Sequence, residues 1–138
     1  MAIKLAWKDG LNYEGSDELG HSVLISNEKD KDGKRKSFSP IQLVALGLGG
    51  CGGMDVISIL KKKKQDVHGL EIKVDPTRVE THPRVWSNVE ITYVVSGKNI
   101  DPAAVERAIY LSAEKYCSVH NMLKDAVKIR HKFEIIEL

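Results

Sequence analysis

A glycine-rich apolar segment constrains the fold of this chain more than any other feature. From Ser39 to Lys64 the sequence reads SPIQLVALGLGGCGGMDVISILKKKK, which sets one cysteine, Cys51, among five glycines: Gly47, Gly49, Gly50, Gly52 and Gly53. Glycine costs roughly 1 kcal/mol per helical position relative to alanine, so these five oppose a helix by about 5 kcal/mol. Either the chain turns there, or another group approaches the backbone closely.

The start of this segment favours a helix. Ser39 is a good N-cap, Pro40 suits the first helical position, and Gln42 completes a capping box. The pattern predicts a long helix over Pro40–Lys64. Its apolar residues surround the axis, and a helix that is apolar on all sides is expected to be buried on all sides. The glycines also match the GxGxxG pattern of a dinucleotide-binding turn, but a helix rather than a strand precedes them, which argues against that interpretation.

Length and composition predict one domain spanning residues 1–138, with N-terminal strands and a loop over 1–38 and the remaining elements over 39–138. Hydrophobic residues make up 42% of the chain and charged residues 29%, which is ordinary for a soluble globular protein. The net charge of +2 comes without a basic stripe, so nucleic-acid binding has little support. No leader or membrane span is expected, and the predicted location is cytoplasmic.

The remaining elements follow from periodicity and turn signals. Three short strands are expected first, namely Ala2–Trp7, Asn12–Gly15 and His21–Ser26. A charged loop over 27–36 follows them. Two strands, Val67–Val79 and Val85–Val95, are joined by residues 80–84, and Ser96-Gly97-Lys98 is expected to close that side of the hairpin. A second helix is expected from Pro102 to Leu123, followed by a strand over Val127–Ile136. Clustered strands indicate the α+β class.

Two of these strands show an alternating pattern. In the strand over Val85–Val95, one face carries Val85, Ser87, Val89, Ile91 and Tyr93. The alternating residues of the last strand are Val127, Ile129, His131, Phe133 and Ile135.

The chain has two cysteines, Cys51 and Cys117, too far apart for a CxxC motif. In a reducing compartment they are either inert thiols or a redox couple. Asp55 lies four residues after Cys51 on the same helix face, and its negative charge opposes a thiolate there. A reactive Cys51 therefore needs a cationic or hydrogen-bonding partner from elsewhere. Three polar residues share the helix face of Cys117: Glu114, His120 and Asn121.

Three motifs together resemble the OsmC/Ohr superfamily of thiol peroxidases and its less characterised relatives. They are SPxQLxxxxLGGCxGMDVxSILKKxK around Cys51, LSxEKYCSV around Cys117, and HPRVWSNVEITYxVSG between them. The resemblance implies an antiparallel sheet wrapped around two long central helices, in an intertwined homodimer with each active site at the subunit interface. The partner chain would then cover the second face of the apolar helix.

The resemblance also implies a reaction. Cys51 would be the peroxidatic thiol that attacks a hydroperoxide, preferably an organic one, and becomes a sulfenic acid. Cys117 would be the resolving thiol that condenses with it to a disulfide, and an external dithiol would reduce the pair. The role implied is defence against oxidative stress. Neither a cofactor nor a metal is expected, since no histidine or cysteine pair has the close spacing of a structural zinc site.

This chain departs from the pattern of the family's peroxidases at the activating residues. Those members carry an early arginine and a glutamate after the proline, whereas here Ile41 follows Pro40 and no arginine precedes Arg35. Four residues are candidates for supporting Cys51 and Cys117. Gln42 would donate a hydrogen bond, His21 or Arg84 would supply a cation, and Glu114 would supply a carboxylate. A residue of the partner subunit is a further source of the cation.

Two other functions remain open at this point. The glycine-lined cavity at the dimer interface could hold an apolar small molecule with both thiols reduced, which would make the protein a non-enzymatic binding module. Alternatively, the protein could be a structural stress protein without chemistry.

Overall fold

The computed structural model describes residues 2–138, so Met1, the first residue of the predicted domain, lies outside it. The chain forms two compact units, one ending at Val44 and the other spanning Ala45–Leu138. The single-domain organisation stays a prediction, and each unit is described by itself below.

The first unit is an antiparallel meander. Its strands are β1 (Lys4–Asp9), β2 (Asn12–Ser16) and β3 (Ser22–Ser26), paired in the order β1-β2-β3. All three predicted strands are confirmed, with bounds shifted by one or two residues. The charged loop after β3 is confirmed as well, although an isolated bridge joins Lys29 to Arg35 within it.

The first long helix, α1 (Pro40–Lys62), begins where its cap predicts. The Gln42 side-chain oxygen accepts the Ser39 backbone N–H at 2.9 Å, and the Gln42 N–H donates to the Ser39 hydroxyl at 3.3 Å. This reciprocal pair is the predicted capping box. The helix ends two residues earlier than predicted, and Lys64 beyond it adopts the left-handed conformation with φ of 57°.

Burial of α1 is one-sided within the chain, contrary to the expectation of burial on all sides. The buried positions lie mostly on one face: Leu48, Gly49, Gly52, Gly53, Val56 and Leu60. Leu46 is 52% exposed and Met54 is 75% exposed. Periodicity identified an apolar helix correctly, but it could not tell how much of that surface one chain covers.

The sheet of the second unit contains β4 (Asp66–Arg78), β5 (Trp86–Lys98) and β6 (Lys128–Glu137), in that order. β4 and β5 are antiparallel, but β6 runs parallel to β5. The predicted α+β class is therefore confirmed, whereas the predicted antiparallel sheet is mixed at β6. The helical segment between β5 and β6 returns the chain to the end at which β5 began, which is what a parallel pairing requires. Ser96-Gly97-Lys98 belongs to β5 instead of ending the hairpin.

Alternation along β5 is confirmed for Val89, Ile91 and Tyr93, which are all buried, but Val85 is 55% exposed. The pairing register shifts between Thr77 and Arg78, and Trp86 is buried in place of Val85. A bulge reverses the alternation because it adds one residue to one strand. The predicted face of β6 holds, since Ile129, His131, Phe133 and Ile135 are less exposed than their neighbours.

The predicted continuous helix from Pro102 to Leu123 is wrong in its second half. The segment consists of α2 (Pro102–Leu111), a π-helical turn over Ser112–Tyr116, and α3 (Ser118–Leu123). Cys117 lies between them in an extended conformation, with φ of −78° and ψ of 104°. Apolar spacing alone did not reveal this break.

Candidate active site

Three glycines let α1 lie directly against the sheet. A Cβ at Gly49 would come within 2.8 Å of the Val74 side chain, and one at Gly53 would collide with Ile72. A Cβ at Gly52 would collide with the Tyr93 hydroxyl and would lie 3.8 Å from the Ser112 hydroxyl oxygen. The glycines around Cys51 therefore serve close approach, one of the two reasons considered from the sequence.

The π-helical turn presents Cys117. The Cys117 N–H donates to the Ser112 carbonyl at 2.7 Å, which closes a wide helical turn of the kind that often marks functional sites. The Asn121 side-chain amide donates to the carbonyls of Ala113 at 3.0 Å and Cys117 at 2.9 Å. The His120 N–H donates to the Cys117 sulfur at 3.3 Å. These bonds fix the backbone and the side chain of Cys117.

The two thiols meet across α1 and this turn. The sulfurs of Cys51 and Cys117 and one carboxylate oxygen of Asp55 all lie within 4.8 Å of one another. Both thiols are free; Cys51 is half-buried, while Cys117 is 2% exposed. Burial, and next the contact with Cys51, raises the pKa of the Cys117 thiol to about 11. Cys117 is therefore a protonated thiol at neutral pH.

Asp55 and Ser112 link the same two elements. The Ser112 hydroxyl donates to an Asp55 carboxylate oxygen at 2.8 Å, and Ser112 is 2% exposed. This bond orients the carboxylate beside the thiols. The sequence placed Asp55 on the face of Cys51, but the Ser112 contact spans distant parts of the chain, and periodicity gives no sign of it.

Tyr93 is a site residue that the sequence interpretation placed only on one face of its strand. It is 2% exposed, and its hydroxyl lies against Gly52, the residue after Cys51. Burial raises the pKa of the Tyr93 phenol strongly. The negative charges that Cys117, Asp55 and Cys51 carry when they are ionised raise this pKa further. The phenol stays protonated and can donate a hydrogen bond. A buried tyrosine needs such a partner, and that is the one signal by which the sequence could have marked it.

A cavity of about 550 Å³ lies beside His120 and β6. Its walls combine apolar and charged residues with two imidazoles: Glu106, Ile109, Tyr110, Ala113, Glu114, His120, Ile129, His131, Lys132 and Phe133. The rings of His120 and His131 are 5.1 Å apart. Burial lowers the pKa of His120, and burial with His120 lowers that of His131 to about 4, so both are neutral at pH 7. Among residues 2–138, no partner reaches the buried His120 Nδ1.

The predicted supporting residues have other contacts. Gln42 is engaged in the cap of α1, and His21 in the first unit is exposed and pairs with Asp17 at 2.6 Å. Arg84 is exposed in the loop before β5, where its Nε donates to the Val79 carbonyl at 3.4 Å. Glu114 is exposed on the π-helical turn and lines the cavity next to His120. Their roles at the thiols stay predictions.

Comparisons with known proteins agree with this architecture. Protein YhfA of Escherichia coli K12 is 40% identical over 136 residues, which cover 99% of this chain and 98% of that protein. A hypothetical protein from Aquifex aeolicus VF5 has a crystal structure that matches with a TM-score of 0.87 and 29% identity, covering 99% of this chain and 96% of its own.

The organic hydroperoxide resistance protein OhrB of Bacillus subtilis shares the fold, with a TM-score of 0.65, 17% identity and coverage of 97% of this chain and 98% of its own. The model of the family described as OsmC-like protein matches residues 32–132. Together with the likeness to YhfA over nearly the whole chain, this match shows that the protein belongs to the OsmC-like protein family.

Proposed function

We propose that this protein is a two-cysteine thiol peroxidase that reduces organic hydroperoxides in defence against oxidative stress. The observation that carries the proposal is the meeting of Cys51 and Cys117, whose sulfurs lie within 4.8 Å of each other in a partly buried site. Membership of the OsmC-like family and the shared fold of an organic hydroperoxide resistance protein support the same chemistry.

Exposure divides the roles of the two thiols. Cys51 is half-buried and is the more exposed of the two, which suits the peroxidatic role. Cys117 is 2% exposed and protonated at neutral pH, which suits a resolving thiol that reacts only with its neighbour.

The reaction proceeds in three balanced steps. The Cys51 thiolate attacks the hydroxyl oxygen of the hydroperoxide. An S–O bond forms as the O–O bond breaks, Cys51 becomes a sulfenic acid, and the alkoxide takes a proton from solvent and leaves as an alcohol. The Cys117 sulfur then attacks the sulfur of the sulfenic acid, so that a disulfide forms and the hydroxyl leaves with the Cys117 proton as water. An external dithiol returns two electrons and two protons to the pair.

The chain's own residues supply part of the activation. The Asp55 carboxylate, which accepts the Ser112 hydroxyl at 2.8 Å, opposes a thiolate at Cys51 by its negative charge, so activation depends on hydrogen-bond donors and cations. The protonated Tyr93 hydroxyl beside Gly52 donates a hydrogen bond to the negative charge that develops on the reacting oxygen. The proposal further assigns the activating cation to Arg84 or to a partner subunit, and a supporting carboxylate to Glu114.

The proposed assembly is a homodimer with each site at the subunit interface, and the proposed location is the cytoplasm. The uncovered apolar face of α1 supports the dimer, since 33% of its most apolar 18-residue stretch is buried. By length and composition alone α1 could cross a membrane, but in the OsmC-like fold such a helix belongs to the core.

Titration of the reduced protein with cumene hydroperoxide tests this function. We expect one equivalent of peroxide to consume both thiols and to give a Cys51–Cys117 disulfide, identified by peptide mass spectrometry. Cys117→Ser should stop at a sulfenic acid on Cys51 that dimedone traps, whereas Cys51→Ser should leave Cys117 reduced. Tyr93→Phe should slow oxidation by about 100- to 1,000-fold, the loss of one donor to the developing charge. Survival of both thiols in excess peroxide would falsify the proposal.

One observation favours a second candidate function. The cavity of about 550 Å³ has the size of a small-molecule site, and the unpartnered His120 Nδ1 beside it could accept a ligand's hydrogen bond, within the described part of the chain. A binding module would carry a ligand that native mass spectrometry detects on the purified protein. Thiols that resist peroxide in the same preparation would favour that function over the peroxidase.

A further inference from the structure

We infer that the reduced Cys51 and Cys117 thiols, together with the Asp55 carboxylate, form a binding site for a soft divalent metal ion such as Zn²⁺. This inference goes beyond the peroxidase function and does not depend on it. The sequence predicts no metal because the donors are not closely spaced along the chain. The fold brings them together from α1 and the segment after α2, so that one oxygen and two sulfurs lie within 4.8 Å of one another.

The three donor atoms fit a metal ion once they move slightly closer together. Zinc binds cysteine sulfur at about 2.3 Å and carboxylate oxygen at about 2.0–2.2 Å, so two donors on a tetrahedral ion lie about 3.5–3.8 Å apart. Donors that are already within 4.8 Å therefore need to approach each other by about 1.3 Å at most. Rotation of the Cys51 side chain, which is half-buried, can supply much of that movement.

The surroundings hold the ligands as a metal site requires. The Ser112 hydroxyl already orients the Asp55 carboxylate at 2.8 Å. Asn121 fixes the backbone within the π-helical turn and just after it, with bonds of 3.0 Å to the Ala113 carbonyl and 2.9 Å to the Cys117 carbonyl. Hydrogen-bonded neighbours of this kind typically account for about 10- to 100-fold of metal affinity.

The donor set selects the kind of metal. Two thiolates favour Zn²⁺ and other soft ions over Mg²⁺ or Ca²⁺, which prefer oxygen ligands. Three protein ligands leave one position for water, so the ion is exchangeable rather than locked in. Binding releases the two thiol protons to solvent and involves no electron transfer.

Metal binding and oxidation of the pair exclude each other. A sulfur bonded to the metal has its electron pair engaged, and a disulfide has no thiolate to offer. The metal would therefore protect the reduced pair, and oxidation to the disulfide would release the metal.

Metal titration of the full-length reduced protein tests the inference. The protein is freed of reductant and metal under anaerobic conditions, then titrated with Zn²⁺ by calorimetry and with Co²⁺ by absorption. We expect one ion per chain and a sulfur-to-cobalt charge-transfer band. Cys51→Ser and Cys117→Ser should each weaken binding by about 100-fold or more. Asp55→Asn should weaken it by about 10- to 100-fold and keep the charge-transfer band.

Asp66→Asn is the matched control. Asp66 contacts His68 at 3.1 Å on the exposed edge of the second unit, and this pair offers a carboxylate and an imidazole to an ion bound at the surface. Replacing Asp66 should leave the metal affinity of the protein unchanged. Circular dichroism of each variant separates lost binding from lost folding. Binding that survives the Cys51→Ser/Cys117→Ser double change, or no binding at micromolar Zn²⁺, overturns the inference. Peroxide consumption by the metal-free protein is measured separately, so failure of either idea is distinguishable.

Discussion

At the scale of single residues, Gly52 and Tyr93 make the contact on which the geometry of the thiols depends. The Tyr93 hydroxyl occupies the place that a Cβ at position 52 would need. Any larger residue would push α1 away from β5, and Cys51 with it. The ring carbon bearing the hydroxyl lies 3.5 Å from the same point, an ordinary contact distance.

A double-mutant cycle follows from this contact. Gly52→Ala alone should lower the free energy of unfolding by about 1–3 kcal/mol through overpacking, reduced by the roughly 1 kcal/mol that alanine gains in a helix. In the Tyr93→Phe background the same change should be neutral or stabilising, because the colliding oxygen is gone. Urea unfolding of the four proteins measures the coupling. Equal effects of Gly52→Ala in both backgrounds would contradict the contact.

The sequence predicted some of these residues and not others, for a physical reason. Cys51, Cys117 and the glycines are rare residue types in a recognisable arrangement, so composition and motif identify them. Gln42 was predicted correctly as a cap, because capping depends on residues next to each other in the chain. Tyr93 was placed only on one face of its strand, since alternation along a strand does not show which helix residue lies opposite.

At the scale of secondary-structure elements, the π-helical turn and β6 determine the surroundings of Cys117. The turn ends α2 early and leaves Cys117 extended, so that the His120 N–H reaches its sulfur. Helix starts at Pro40 and Pro102 were predictable because each carries a local cap. The break at Cys117 was not, since it depends on contacts with Asn121 and α1. The direction of β6 depends on where the preceding helices lead the chain.

His131 on β6 predicts how stability depends on pH. Burial, and then His120, lowers the pKa of His131 from 6.5 to about 4, so the unfolded chain takes up a proton between these values and the folded chain does not. Stability should therefore fall as the pH drops from 6.5 to 4. Because the ring is partly exposed, we expect a loss of about 1–2 kcal/mol from this residue.

Urea unfolding of the wild type and of His131→Gln at pH 7, 5.5 and 4.5 measures this loss. The difference in the free energy of unfolding between the two proteins should shrink as the pH falls, while exposed His82→Gln should track the wild type throughout. A difference that stays constant with pH would show that His131 titrates normally in the folded protein.

At the scale of the whole molecule, the two sides of α1 use glycine differently. Gly49, Gly52 and Gly53 face β4 or β5, whereas a Cβ added at Gly47 or Gly50 would meet no atom beyond its own stretch of helix within 4 Å among the described residues. Exposed glycines in an apolar helix are costly unless something approaches them. Leu46 and Met54, both exposed, lie near them along the helix. A second copy of the chain is the occupant that the proposed dimer supplies.

Gly50→Leu should then separate the subunits. If a partner approaches Gly50 closely, the added side chain overpacks the contact by about 1–3 kcal/mol, and a two-fold interface contains the change twice. The dissociation constant should rise by about 30-fold or more, which light scattering on a size-exclusion column across a dilution series measures. Ala103→Leu, an exposed position on α2, is the matched control and should leave the dimer intact.

The same variant also separates assembly from chemistry. A Gly50→Leu monomer that keeps its circular dichroism spectrum but reacts slowly with cumene hydroperoxide would indicate that the partner completes the site around Cys51. A monomer that reacts as fast as the wild type would indicate that the residues of one chain, with Asp55 and Tyr93 nearest the thiols, suffice. A wild-type protein that is monomeric at all concentrations would contradict the dimer itself, because the open glycine face would then have no partner.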